Sequence, residues 1–255
     1  MLTSMTKVAV ITGASRGIGA AAAVEFGRRG YAVVVNYHSR KDAADAVVEA
    51  VEQAGGKGIA VPGDMRMRDE AAGLINAAVE HFGRVDTLVC NAAIQVKRAA
   101  FADLPWDDFA AKVTDELAAS YHVTQLALPI MREQRYGRLV YVSSGMAEGP
   151  GAPDMIGHGT AKAALNTFAR YIAHEEGPHR IIANVVAPGY VRTDATAAAA
   201  TALRGIEARI TEHSPLRRVA DPVDIGRVIA MFGSEDCSYA TGVVVPVNGG
   251  IMLAH

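Results

Sequence analysis

The sequence predicts an α/β fold, a doubly wound parallel sheet flanked by helices in a single domain. Two observations carry that prediction. Short apolar runs rich in Val and Ile alternate with longer amphipathic stretches along the whole chain, the pattern of strands joined by crossover helices. The runs are also continuously apolar rather than alternating, as strands are when helices cover both faces of a sheet.

Each element follows in order. KVAVIT (7–12) reads as the first strand, followed by a glycine turn and a helix from about Gly17 to Arg29. YAVVVNY (31–37) is the second strand, and KDAADAVVEAVEQAGG is a helix closing on Gly55, a residue suited to a left-handed cap. KGIAVPGD is a short third strand, DEAAGLINAAVEHFG a helix, and RVDTLVCNAA the fourth strand. The segment 105–134 reads as one long helix, GRLVYVSS (137–144) as the fifth strand, and 156–176 as the helix after it. RIIANVVAPG (180–189) is the sixth strand. An alanine-rich segment and a short helix over 221–232 lead to TGVVVPVNGG, the last strand. No linker or internal repeat interrupts the alternation, so residues 1–255 read as one domain.

Composition narrows the function classes. The chain has 255 residues, half of them hydrophobic, and 25 glycines spread along its length, which suits a compact globular protein. A formal net charge of −2 gives no reason to expect nucleic acid or a membrane surface as partner. The two cysteines, Cys90 and Cys237, lie far apart without metal or redox spacing. No apolar run reaches the length of a membrane span, and MLTSMTKVAV lacks the layout of a signal peptide, so a cytoplasmic location is expected.

The turn after the first strand is TGASRGIG, with Gly13, Gly17 and Gly19 around Ser15, Arg16 and Ile18. Glycines there let the backbone turn tightly and approach a pyrophosphate, while the opening helix supplies N–H donors and a positive dipole end. The spacing TGxxxGIG is joined by Asp64, Asn91-Ala92-Ala93, Ser143-Ser144, Lys162, Asn184, Pro188-Gly189, Thr193 and Val247-Asn248-Gly249-Gly250. From Lys7 to Gly250 the chain thus resembles a short-chain dehydrogenase/reductase, closest to the β-ketoacyl-acyl-carrier-protein reductase branch. The resemblance implies a Rossmann-like fold and a nicotinamide cofactor held by the glycine turn, Asp64, Met65, Asn91, Ala92, Ala93, Lys162, Pro188, Gly189, Val191 and Thr193. An acid at the end of the second strand would bind the adenosine ribose and repel a 2′-phosphate. Asn36 stands there instead, followed by Tyr37, His38, Ser39 and Arg40, with Arg16 inside the glycine turn. Guanidinium groups suit phosphate geometry, and both features favour NADP(H).

In the family a serine polarises the substrate carbonyl, a tyrosine donates the proton, and a lysine four residues later tunes the tyrosine and holds the ribose. Lys162 is present, and Ser144 matches the serine with one extra residue of spacing, Ser143 being the neighbouring candidate. Position 158 holds histidine. None of Tyr121, Tyr136, Tyr141, Tyr171 or Tyr190 has a lysine four residues on. The asparagine that the family carries in the long helix aligns with Glu116, or with Asp115 if the alignment shifts by one. Lys162 should push an imidazole toward its neutral form, whereas Glu116 should favour imidazolium or pair with the lysine. A protonated His158 is a sound general acid, although its ring reaches less far than phenol. Three readings follow. The chain is a reductase of keto substrates with His158, Lys162, Ser144 and Glu116 at its centre, a silent NADP(H)-binding partner, or a protein of this fold doing non-redox acid–base work.

The resemblance also implies a substrate lid around 193–218 and a homo-oligomer, tetramer or dimer. Tyr190, Met146, Met155 and Ile156 are candidates to line the substrate pocket, with core packing as their competing role. The substrate is expected to be a small molecule or an acyl group on a carrier protein. For carrier docking the basic candidates are Arg132, Arg135, Arg138, His179 and Arg180.

Overall fold

The computed structural model describes residues 6–194, 196 and 205–251. Seven parallel strands form one sheet in the order β3-β2-β1-β4-β5-β6-β7. The strands are β1 (Val8–Ile11), β2 (Ala32–Tyr37), β3 (Lys57–Pro62), β4 (Thr87–Cys90), β5 (Gly137–Val142), β6 (Ile181–Pro188) and β7 (Val244–Val247). Helices α1 (Gly17–Arg28), α2 (Lys41–Gln53), α3 (Arg68–Phe82), α4 (Trp106–Gln134) and α5 (Ile156–Glu176) connect them, and α6 (Ile206–His213) and α7 (Pro222–Phe232) precede the last strand. The expected doubly wound architecture is present, in one domain.

Strand β1 shows why the runs lack alternation. Val8 and Val10 face a core layer with Leu74 of α3, Val123 and Met131 of α4 and Leu165 of α5. Ala9 and Ile11 face the opposite layer, built with Phe26 of α1 and Ile225 and Ile229 of α7. All four strand residues are fully buried, so both parities must be apolar. Several strands are shorter than the sequence pattern suggests. RVDTLVCNAA contributes only Thr87–Cys90: before it the Val8 N–H turns to the buried Asp86 carboxylate, which Arg84 holds, and after it the Asn91 and Ala92 N–H groups turn to Thr12 Oγ1.

The chain runs outward from β1 through β2 to β3 and then returns to β4 on the other side of β1. At such a reversal the carboxyl ends of the two central strands diverge and leave a crevice. Within the expected lid, α6 is present, while residue 195 and residues 197–204 lie outside the described residues, as does the C-terminal tail from 252.

Candidate active site

The glycine turn lies at that crevice. Gly13 (φ +60°) and Gly17 (φ +58°) occupy the left-handed region that side chains disfavour. A Cβ on Gly13 would stand 2.9 Å from Ala92 Cα, and one on Gly19 would stand 2.5 Å from Asn91 Nδ2 and 2.8 Å from the Gly13 carbonyl. Helix α1 begins at Gly17 without a side-chain cap and without an acid in its first turn. Its N–H groups and positive dipole end therefore face the crevice unneutralised, which fits a pyrophosphate.

Two residues assigned by sequence to the cofactor act on the loop itself. Asn36, 2% exposed, accepts from the Gly13 N–H at 2.9 Å and donates to the Gly63 carbonyl at 3.0 Å. Asn91 donates to the Thr12 and Gly13 carbonyls, and Thr12 Oγ1 accepts from the Asn91 and Ala92 N–H groups. Their side chains fix the turn against the ends of β2 and β4. Ser15 and Ile18 are half-buried on the turn, Met65 and Tyr37 are buried behind it, and Ala93 is exposed beyond β4. From β6, Pro188 and Gly189 lead past the buried Val191 to Thr193, whose Cγ2 would lie 3.5 Å from a Cβ on Gly17.

Arg16, His38, Ser39 and Arg40 are exposed on the glycine turn and the loop after β2, and Arg16 and Arg40 have no ion pair among the described residues. Asp64 is different. Its carboxylate accepts from Arg66 Nε at 3.0 Å, and that guanidinium holds it below the usual carboxylate range. Arg66 also reaches Asp115 of α4 at 3.1 Å. The sequence alone does not single out Arg66; a guanidinium two residues from Asp64 is the available signal.

At the other end of the crevice stands a cluster of charges. Positions 158 and 162 share one face of α5, four residues apart. Lys162 is 4% exposed, donates to the Val142 carbonyl at 2.7 Å and lies 2.6 Å from Glu116 Oε1. Glu116, 1% exposed, accepts from the Ile94 N–H at 3.3 Å. Glu116, not Asp115, meets the lysine. Its second oxygen binds Lys112, itself 3% exposed and donating to the Ile94 carbonyl at 2.7 Å. Lys112 was missed by sequence reading. Burial raises the Glu116 pKa, but Lys162 and Lys112 outweigh it and hold the carboxyl at about 2. Burial also pushes the Lys112 pKa down, against the attraction of Glu116.

His158 is half-buried and has no hydrogen-bond partner among the described residues. Burial, then Lys162 and then Lys112 lower its pKa to about 4, with Glu116 opposing. The imidazole is therefore neutral at physiological pH, the outcome expected from Lys162 rather than that expected from Glu116. An imidazolium donor, considered from the sequence, is not the resting state. The folded pKa of His158 lies below its ordinary value near 6.5, so between those limits the unfolded chain binds more protons. Stability should accordingly fall as pH drops from about 6.5 to about 4. Thermal denaturation across that window should show the fall, and His158→Gln should flatten it; an identical slope in the variant would refute the assignment.

At the end of β5, Ser143 is buried with its hydroxyl on the Lys162 carbonyl at 3.3 Å. Ser144 is half-buried and accepts from the Met146 N–H at 3.2 Å. Of the two, Ser144 has the more accessible hydroxyl. A cavity of about 700 Å³ is lined by Phe101, Met146, Met155, Ile156, Thr160 and Ala163 among others, and neither Ser144 nor His158 is part of its wall. Met146, Met155 and Ile156 thus line a pocket, while Tyr190 does not line this one. The α5 residues on its wall fall on a different helical face from His158 and Lys162. The basic docking candidates thin out. Arg132 is bound to the buried Glu176, and Arg138 is buried with its guanidinium on the Ser234 and Gly137 carbonyls.

Among the described residues no group of acidic, histidine or cysteine side chains could hold a metal ion, and no helix is long and apolar enough to cross a membrane. Residues 13–252 match the family model described as Enoyl-(Acyl carrier protein) reductase. The chain is 40% identical to an oxidoreductase of Methylorubrum extorquens, covering 96% of this chain and 97% of that protein. It is 35% identical to versicolorin reductase 1 of Dothistroma septosporum over 96% of this chain and 95% of that one. Identity to the 3-oxoacyl-[acyl-carrier-protein] reductase of Staphylococcus epidermidis is 33%, covering 98% of this chain and all of that protein. Among solved structures, YwfH, an NADPH-dependent reductase involved in bacilysin biosynthesis, superposes with a TM-score of 0.90 at 25% identity, covering 98% of this chain and all of that one. With the glycine turn at the strand reversal and Lys162 at its far end, these likenesses place the chain in the short-chain dehydrogenase/reductase family of nicotinamide-dependent oxidoreductases.

Proposed function

We propose that this protein is an NADPH-dependent ketoreductase acting on a β-ketoacyl-like substrate, with His158 in the position of the proton donor. The observation that carries the reading is the crevice itself: an uncapped helix N-terminus over left-handed glycines at one end, and His158 with Lys162 on one helical face at the other. Bound NADPH supplies the hydride. The turn from Gly13 to Gly19 would hold the pyrophosphate, and Arg16 with Arg40, exposed and without ion pairs among the described residues, would receive the 2′-phosphate.

A neutral imidazole can still work on a carbonyl. One ring N–H would donate to the oxygen as negative charge develops there and pass its proton to the alkoxide, while the other ring nitrogen takes a proton from solvent so that the ring stays neutral; the nearby ammonium groups favour the developing charge. Ser144 offers a second donor to the same oxygen. Arg135, His179 and Arg180 remain after Arg132 and Arg138 are taken by the protein, but they precede β5 and β6 at the edge of the sheet opposite the crevice, so the reading rests on the keto group rather than on a carrier.

The test is NADPH binding followed by turnover on acetoacetyl thioesters and an aromatic ketone. His158→Ala should lower kcat/KM by about 10²–10⁴-fold while leaving NADPH affinity in place. The wild-type profile should show no inflection near pH 6.5, because His158 is already neutral there. Full activity in His158→Ala removes the histidine from the chemistry, and NADPH binding without turnover on any carbonyl favours the silent-partner reading.

A further inference from the structure

Lys112 is a buried ammonium that the family likeness does not account for. A carboxylate at position 116 brings a negative charge against Lys162, 2.6 Å away, and alone would cancel the field that this lysine places on position 158. Helix α4 answers one turn earlier. Lys112 stands four residues before Glu116 on the same face, binds its other oxygen and anchors to the Ile94 carbonyl at 2.7 Å. Gly157, the neighbour of His158, packs over the Lys112 stem: a Cβ there would touch Lys112 Cγ at 3.7 Å.

We propose that Lys112 is a positioning residue of this active site, whose charge offsets Glu116 and so keeps one net positive charge beneath His158. With two lysines and one carboxylate, the cluster has the same net charge as a lysine beside a neutral amide. Lys112 therefore acts on the reaction through Glu116 and Lys162, holding the carboxylate against the Ile94 N–H and leaving the imidazole in its neutral form. The charged groups facing His158 are Lys162 on its own helix and Lys112 and Glu116 on α4. This rests on the reading of His158 and Lys162 as the reacting end of the crevice.

The experiment is a charge-count cycle read by NMR titration of the His158 ring on the whole chain, without turnover. Lys112→Met leaves the cluster neutral and should raise the His158 pKa by about one unit. The double variant Lys112→Met/Glu116→Gln restores a single net positive charge and should bring the titration back toward wild type. Lys112→Arg should leave it near wild type; if the methionine variants fold poorly, Lys112→Gln, which can still donate to the Ile94 carbonyl, takes their place and should raise the pKa likewise, an unmoved value overturning the proposal. A His158 pKa unmoved in folded Lys112→Met overturns the proposal, as does a double variant that titrates like the single one. Because no substrate is used, the titration can hold even if the ketoreductase reading fails, and ketoreduction can hold even if the titration does not move.

Discussion

Glu116→Leu is expected to be among the most destabilising single substitutions in this protein. Two ammonium groups, each under 5% exposed, share that one carboxylate. Removing it leaves both cations in a low-dielectric site with only the Ile94 and Val142 carbonyls as partners. Breaking a buried ion pair by deleting one partner costs about 3–5 kcal/mol. Chemical denaturation should show a loss of that size, and Glu116→Gln, which keeps an acceptor for one lysine but turns an amide NH2 toward the other, should lose less. A Leu variant as stable as wild type would mean that water reaches the cluster and screens it.

Gly19→Val should damage the cofactor site from within. The added Cβ would meet the Gly13 carbonyl at 2.8 Å and Ala14 Cα at 2.9 Å, both backbone atoms of the turn, besides the Asn91 amide. Neither side can yield without moving the glycine turn. Overpacking of this kind costs about 1–3 kcal/mol, and the displaced turn should lose nicotinamide-nucleotide binding, read by thermal shift with and without NADPH or NADH. Gly73→Ala in α3 is the matched control. A Cβ there meets nothing within 4 Å, so that variant should be about as stable as wild type or more so. Retained nucleotide binding in Gly19→Val would show that the turn is more yielding than its packing indicates.

Much of this was legible in the sequence, and the illegible parts share a physical origin. A strand buried on both faces announces itself through apolar residues at every position, as Val8–Ile11 does. The turn announces itself through glycines required where side chains clash. Glu116 is legible only through the resemblance, and Lys112 carries no such signal, since an i, i+4 pair of opposite charges on a helix usually lies in solvent. Their burial depends on α5 packing over α4, a tertiary fact. A hint existed: 116, 119, 123, 127 and 131 are all buried positions of α4, and 112 continues that stripe upstream with a charge. Arg66 was hidden for a similar reason, because its second partner, Asp115, lies on a distant helix. The same limit applies to Asn36, whose position was read correctly while the direction of its side chain depended on Gly63.

Asn36 also bears on any attempt to alter which nicotinamide nucleotide this fold accepts. The obvious design places an acid at the end of β2, where it would repel a 2′-phosphate. An aspartate at 36 could still accept from the Gly13 N–H, but its other oxygen would face the Gly63 carbonyl that now accepts a hydrogen bond from the amide at 3.0 Å. Two acceptors would then oppose each other in a site that water scarcely reaches, and the glycine turn would lose one of its ties to the sheet. Cofactor preference in this scaffold is therefore better altered at the exposed positions that follow, His38 and Arg40, where a change of charge leaves the mould of the phosphate turn untouched.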